Sequence, residues 1–458
     1  MRLPSQLPAL KDLKLNLGLG RRGGSVVGLD IQPGLVAAVQ ARANGSIVVE
    51  KAAAMALAPD MLRDGEVADD AGLADALREL FNDSGLGKRV RIGIANQRTV
   101  LRTLELPPVT DAKELAAAVT FQAQEQVPMP LNNAVLDFHA LGVIDTPAGP
   151  RQRVVLVAAQ RDMVERLLAA VDSAGLIAEG VDLSAFALIR SLYTPDPDPD
   201  PEAGELAQRV LYLNVDGLTN LAIAEGPLCR FTRVVGGGIE AMAAELAAKR
   251  EITVQQARVL LLGARLGESE AADEWMPGGD ASLDAPVHED AGEAPEAQEA
   301  AAPVVAGEPS EGAAMPDAGE PDTVSAEGPA VDIAEPGEHD HTGEYASDSD
   351  YQDFACEDYA DDAEADVWGV LESGIRDIYG EVRNSLDFHR SQEGGGEVSH
   401  VVLSGSAQDI PGFADALQSA LGVEVKTREV RVSHGQLEGI SAHRLAVAAG
   451  LSVLELEQ

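Results

Sequence analysis

Two stretches of this chain spell the same pattern, and a chain that repeats such a unit is expected to build two similar lobes. The second copy is the easier to read. A strand near Val210–Val215 ends in Asp216-Gly217, a second runs Thr219–Ala224, and Glu225-Gly226-Pro227 turns it into a third, Cys229–Val235. Gly236-Gly237-Gly238 follows, then helical runs over Ile239–Lys249 and Val254–Leu262. The first copy begins about 185 residues earlier, with a strand Ser25–Asp30, the turn Gln32-Pro33-Gly34, and strands Leu35–Ala41 and Ile47–Ala53 around Asn44-Gly45. Alternating apolar residues between Gly, Asp and Asn turns carry the strand assignments. Two lobes whose turns face a shared cleft can grip a ligand between them. Glycine turns that open a helix can present backbone N–H groups to an anion.

Charge is concentrated in one place. The 458 residues carry a formal net charge of −42, yet residues 267–366 alone hold 31 Asp and Glu with no Lys or Arg. That segment is Ala-, Gly- and Pro-rich and poor in large apolar residues, so it is expected to be a disordered acidic insertion. With no basic patch, nucleic-acid binding has no support. Cys229 and Cys356 form no CxxC pattern, which fits a reducing compartment and speaks against a disulfide framework or zinc site. No apolar run is long enough to span a membrane. The first residues, through Arg22, read as a flexible tail, with a weak amphipathic anchor as the alternative.

Between the two meanders lies more α/β material. A helix is expected over Asp70–Ser84, strands over Arg89–Ala95 and Thr99–Leu106, and a helix over Asp111–Gln126 with Asp111 as its cap. Strands Val135–Gly142 and Val154–Gln160 flank a loop with Pro147, Gly149 and Pro150; a helix follows over Asp162–Ser173. Then come a strand Ile177–Val181, a helix Ser184–Leu192 and an acidic polyproline-like linker. After the insertion, a long helix Asp366–Gln392 is expected to bury Val370, Ile375, Ile378, Val382, Leu386 and Phe388 or His389. A strand Val398–Leu403, a helix opened by Pro411, a strand Val423–Lys426 and a last helix over Ile440–Leu451 complete the pattern.

Several strings are more specific than any one turn: LRTLELPPV (Leu101–Val109), FQAQEQVPMPLNNAVLDFHALG (Phe121–Gly142), DLSAFALIRSL (Asp182–Leu192) and SLDFHRSQEGGGEVSHVVLSGSAQDIPGF (Ser385–Phe413). With Asp30, Asn214, Asp216-Gly217, the glycine turn and Ser404-Gly405-Ser406 in this order, the chain resembles the PilM family. That family is the actin-like, FtsA-like group of type IV pilus assembly proteins. The resemblance implies an α/β actin-like ATPase fold, with duplicated RNase H-like subdomains 1A and 2A and a PilM/FtsA-type subdomain 1C. On this frame 1–24 is the tail, 25–106 and 176–193 are subdomain 1A, and 107–175 is 1C. Residues 194–208 are the linker, 209–238 begin 2A, and 239–266 and 367–397 are 2B around the insertion; 398–458 close the fold.

The resemblance also implies ATP and Mg²⁺ in the cleft. The first phosphate turn would use Asp30, Gln32 and Gly34, with Asp30 toward the metal. The second would use Asn214, Asp216, Gly217 and Thr219. Gly236, Gly237, Gly238, Gly405 and Ser406 would face the ribose and adenine. This cleft reads as degenerate. Pro33 removes an N–H donor, the family's lysine position falls near Ala37, and the second turn is one residue short. Either Asn214 has replaced the acid there or Asp216 has moved into its role. Asp30 reads nearly as well as a turn-capping carboxylate.

A groove between 1A and 1C would hold the cytoplasmic N-terminal segment of a PilN-like inner-membrane protein. Its candidate residues are Arg102, Leu104, Phe121, Gln122, Glu125, Val127 and Pro128, of which Leu104, Phe121 and Val127 read also as ordinary core. The implied function is a weakly catalytic or non-catalytic pilus-assembly scaffold. It would be cytoplasmic and peripheral to the inner membrane through its partners, among them other pilus inner-membrane and motor components, with self-association left open. The alternative is an active ATPase or small-molecule kinase on the same fold. An FtsA-type cell-division anchor fits less well, since the last residues (LSVLELEQ) are acidic rather than a basic amphipathic helix.

Overall fold

The computed structural model describes residues 26–43, 46–147, 149–195, 208–266, 354–392, 395–433 and 440–453, with side chains of the long helix from residue 364 onward. The Asn44-Gly45 turn, the N-terminal tail, most of the Pro/Asp linker and nearly all of the acidic insertion lie outside the described residues.

The first lobe is a six-stranded sheet. Strand β1 (Val27–Gln32) is buried throughout and pairs antiparallel with β2 (Leu35–Ala43), which pairs antiparallel with β3 (Ile47–Ala56). After a two-residue hairpin, β4 (Leu62–Arg63) with β5 (Glu66–Val67), helix α1 (Asp70–Ser84) starts where the Asp69 carboxylate accepts from Gly72 N. The chain then re-enters the sheet as β6 (Arg89–Ile94), parallel to β1.

A separate three-stranded sheet follows, made of β7 (Val100–Leu106), β8 (Ala134–Thr146) and β9 (Gly149–Gln160), with β9 central. Helix α2 (Ala112–Gln126) covers one of its faces. Asp111 caps it by accepting from Lys113 N and Glu114 N, and Pro128 follows its end. Leu104, Leu106, Leu115, Val119, Ala123, Val127, Val154 and Leu156 form this unit's own core. The three-stranded sheet and its helix span residues 100–160, against the 107–175 expected for this subdomain. Strand β7 hydrogen-bonds β9, while helix α3 (Arg161–Ser173) packs on α1 and on β10 (Ile177–Leu183) of the first lobe. Its hairpin is also longer than the loop expected around Pro147, since the strands reach Thr146 and resume at Gly149.

Helix α4 (Ser184–Leu192) leads toward the second lobe, a five-stranded sheet built the same way. Strands β11 (Arg209–Val215), β12 (Thr219–Glu225) and β13 (Leu228–Val235) are an antiparallel meander. Helices α5 (Ile239–Arg250), α6 (Val254–Gly263) and α7 (Phe354–Ser391) precede β14 (His400–Ser404), which lies parallel to β11. Helix α8 (Phe413–Leu421) leads to β15 (Val425–Thr427), parallel to β14. A short strand β16 (Arg431–Val432) returns to the edge of the first sheet beside β3. Counting strands within each lobe and setting aside the edge strand β16 of the first, both sheets have the order 3-2-1-4-5. The repeat seen in the sequence is thus a repeat of topology.

Helix α4 and the last helix, α9 (Ala446–Ser452), lie between the sheets: α9 packs on β1, β2 and β6, and α4 on α9, β12 and β13. Glycines allow this close packing. A Cβ on Gly28 would lie 1.8 Å from Ala448 O, and one on Gly450 would lie 1.9 Å from Ala187 O. Two guanidiniums, Arg91 buried and Arg190 half-buried, tie down the helix end, where carbonyls lack intrahelical partners. Arg91 donates to Leu451 O (2.7 Å) and Arg190 to Gly450 O (2.7 Å), with Asp182 beside Arg190 at 3.0 Å.

Several boundaries differ from expectation. Helix α7 starts at Phe354 rather than Asp366; it buries His389 and leaves Phe388 exposed. The Pro411 segment becomes helical only at Phe413, after a 3-10 turn at Ser406–Asp409. The last helix is preceded by a 3-10 turn at Ala442–Leu445. Among the described residues, no helix is long and apolar enough to cross a membrane.

Candidate functional site

The repeated meander brings its two first turns together at the cleft. Asp30 lies in the buried strand β1 and is 5 % exposed; Gln32, two residues on and on the same side of the strand, donates from Nε2 to Asp30 Oδ2 at 2.8 Å. Burial pushes the Asp30 carboxyl up to about 7; the Gln32 hydrogen bond works against that shift and the neighbouring Asp216 charge works with it. Asp216 is the acid from the second turn that approaches Asp30. Ser406 Oγ donates to Asp216 Oδ1 at 2.6 Å, and burial again raises the carboxyl, opposed by Ser406 and by the Arg444 charge.

Of the two residues named for the second turn, Asp216 is the one whose charge acts on Asp30. Asn214 sits within the ladder, opposite Asn220 on β12 and Ser404 on β14. Asn214 Nδ2, Thr219 Oγ1, Asn220 Oδ1 and Ser184 Oγ are buried without a hydrogen-bond partner within the protein. Asn220 also lines a small cavity with Asn96, Thr99, Leu183 and Thr232. These uncharged amides and hydroxyls suit water or another neutral polar partner.

The expected glycines mostly serve internal packing. A Cβ on Gly238 would lie 2.5 Å from Asp216 O, and Ile239 N donates to that same carbonyl at 2.8 Å. A Cβ on Gly405 would lie 2.4 Å from Val215 O. Gly236 and Gly237 stay more open. Gly217 meets the first turn directly, since a Cβ there would lie 2.1 Å from Pro33 O. Gly34, at φ +79°, has its open face covered by Glu240 and Arg258. Those two form a bidentate pair, Arg258 Nε to Glu240 Oε2 at 2.9 Å and Nη2 to Oε1 at 2.7 Å.

Pro33 has no N–H to offer, and Gly34 is faced by the Glu240–Arg258 ion pair. Asp30 is held partly protonated by its surroundings and already has an oxygen committed to Gln32. Among the described residues, no group of three or more His, Cys, Asp or Glu comes together as a metal site.

The pattern of the sequence did not reveal the cluster that closes this end of the cleft. Asp409 accepts from Ser441 Oγ (2.8 Å), His443 Nε2 (2.6 Å) and Arg444 Nε (2.6 Å). Burial raises that carboxyl, but these partners outweigh it and hold Asp409 down at about 2. Asp409 stands three residues past Ser406 and was within reach of a motif reading; His443 and Arg444, more than 30 residues further on, were not.

The expected partner groove divides by burial. Leu104 and Val127 are 3 % and 6 % exposed and belong to the core under α2. Phe121 is 67 % exposed on the outer face of α2, with Glu125 and Pro128 also exposed. Arg102 and Gln122 are half-buried. Arg102 Nη1 donates to Leu101 O at 2.8 Å, and Gln122 lies 3.4 Å from Glu125 Oε2.

Comparison with known proteins places this geometry. Residues 28–200 match the family model described as type IV pilus assembly protein PilM. A solved PilM–PilN type IV pilus biogenesis complex has a chain 19 % identical to this one, covering 95 % of this chain and 99 % of that one at a TM-score of 0.61. Ethanolamine utilization protein EutJ from Carboxydothermus hydrogenoformans matches at 12 % identity, 96 % and 92 % coverage and a TM-score of 0.41. MreB 5 of Spiroplasma citri bound to AMPPNP matches at 10 % identity, 94 % and 95 % coverage and a TM-score of 0.41. Residues 28–200 thus match the family model of type IV pilus assembly protein PilM, and the chain shares the fold of the chain solved in the PilM–PilN complex.

Proposed function

We propose that this protein is a scaffold of type IV pilus assembly. It docks the cytoplasmic N-terminal segment of a PilN-like inner-membrane protein, and its nucleotide cleft is degenerate. The observation that carries this reading is the family match over residues 28–200, which includes the whole of the three-stranded unit and its helix α2. In this reading the first lobe is subdomain 1A, the three-stranded unit is 1C, and the second lobe is 2A with α5, α6 and α7 as 2B. The protein works on the cytoplasmic face, held at the membrane by its partner.

An exposed phenylalanine on a capped helix is a suitable anchor for a short peptide, because aromatic groups dominate such contacts. Titration of the full chain with a fluorescent peptide copying that cytoplasmic segment should saturate. Phe121→Glu should weaken binding at least about tenfold, equivalent to about 1.4 kcal/mol, and leave the fold intact, since Phe121 is outside the core. Absence of saturable binding by the folded protein would remove the docking reading. The same titration with Mg-ATP tests the enzyme alternative: tighter binding with nucleotide would return it to consideration.

A further inference from the structure

The lobes touch where a ligand-gripping fold would hold its ligand. Gly217 is not in a left-handed conformation, so its missing side chain is not required by its own backbone. What the glycine permits is the approach of Pro33, whose carbonyl oxygen lies 2.1 Å and carbonyl carbon 3.0 Å from where a Cβ would stand. A second contact is made at Gly34, against the Glu240–Arg258 pair of α5 and α6. A third lies at the tip of the β4–β5 hairpin, where a Cβ on Gly65 would be 3.2 Å from Leu218 Cδ1.

We infer that the chain itself holds its two lobes together, with Pro33 seated on Gly217 and Gly34 under the Glu240–Arg258 pair, so that the cleft closes without a nucleotide. The chemistry is consistent on both sides of the contact. The bidentate ion pair is largely buried, and opening the lobes would uncover its contact surface on the first turn. The first turn presents a carbonyl rather than an N–H donor to the second, so the contact is steric fit rather than an anion cradle. This rests on the degenerate-cleft part of the proposed function and is independent of the docking partner.

The test is hydrogen–deuterium exchange on the full chain, followed at residues 31–35 and 215–219, with and without Mg-ATP. In the unchanged protein both turns should be protected without nucleotide, and Mg-ATP should change neither. Gly217→Ala places a methyl against the Pro33 carbonyl without straining its own backbone; both turns should then exchange at least about tenfold faster while β1 and β11 stay protected. Arg258→Ala should loosen the first turn, and the exchange of charges, Glu240→Arg with Arg258→Glu, should restore it. Slowed exchange at the turns on adding Mg-ATP to the unchanged protein would overturn the inference. So would turns in Gly217→Ala as protected as before. Were Gly217→Ala not to fold, Arg258→Ala and its charge-exchanged rescue decide the matter by the same readout. Peptide binding measured on the same proteins reports the docking reading separately, and its failure alone leaves closure standing.

Discussion

Asp30 shows how a residue type readable in sequence takes its meaning from burial. In the unfolded chain its carboxyl would titrate near 4; in the fold it is pushed to about 7. The folded state therefore holds a proton that the unfolded state has lost, and the stability tied to Asp30 falls as pH rises from about 4 to about 7. Asp30→Asn keeps an acceptor for Gln32 and removes the charge. It should raise stability by about 1–3 kcal/mol at pH 8, with the gain fading toward pH 5, as read from thermal midpoints across that range. A substitution that lowered the midpoint at pH 8 would show that the ionised carboxylate has a favourable partner in the cleft. Burial is also what sequence could not assign for the groove: Leu104, Val127 and Phe121 are all apolar, yet the first two are core and the third is surface. Residue type alone cannot say which face of α2 meets the sheet, because Ala-rich helices carry a weak pattern.

At the scale of elements, most strands and helices were legible because alternation and capping are local. The meander β11–β12–β13 and helices α1, α2 and α4 lie where apolar spacing, Asp-Gly turns and the Asp111 cap put them. What failed was of two kinds. Strands β8 and β9 run past Gly142 and Pro150 because a bulge at Gly142 absorbs the irregularity within a long hairpin. The reason for the charges in Asp182–Leu192 was also hidden, since the partners of Arg190 and Arg91 are carbonyls at Gly450 and Leu451, hundreds of residues away. Asp182 is the buried counter-charge of that anchor, 2 % exposed, and also accepts from Leu183 N at 2.8 Å. Asp182→Ala leaves the buried Arg91 and the half-buried Arg190 without their counter-charge and should cost about 3–5 kcal/mol in denaturant unfolding. A loss under about 1 kcal/mol would show that the carbonyls alone satisfy both arginines.

The whole molecule is built so that its first lobe is completed by its last helix. Residues 28–200 carry the family match and contain the first sheet except for its edge strand β16, yet the face of β1, β2 and β6 that packs between the lobes is covered by α9 from the far end of the chain. Leu445, Val447 and Leu451 are at most 2 % exposed there. Three such side chains contribute on the order of 5–8 kcal/mol of burial, comparable with the net stability of an ordinary domain. A fragment of residues 26–195, although it holds two sheets and a contiguous family match, should therefore fail to unfold cooperatively by itself. Co-expression with residues 208–458 should recover a paired, cooperatively folded protein, because the second fragment supplies α9. Calorimetry on the lone fragment decides the point. A sharp heat-absorption peak from residues 26–195 would mean that the lobe closes its own core, leaving α9 as a clamp between lobes rather than a part of the first. The absence of such a peak, with recovery in the two-chain form, would mean that the duplicated halves fold as one body, which is what a scaffold with touching turns requires.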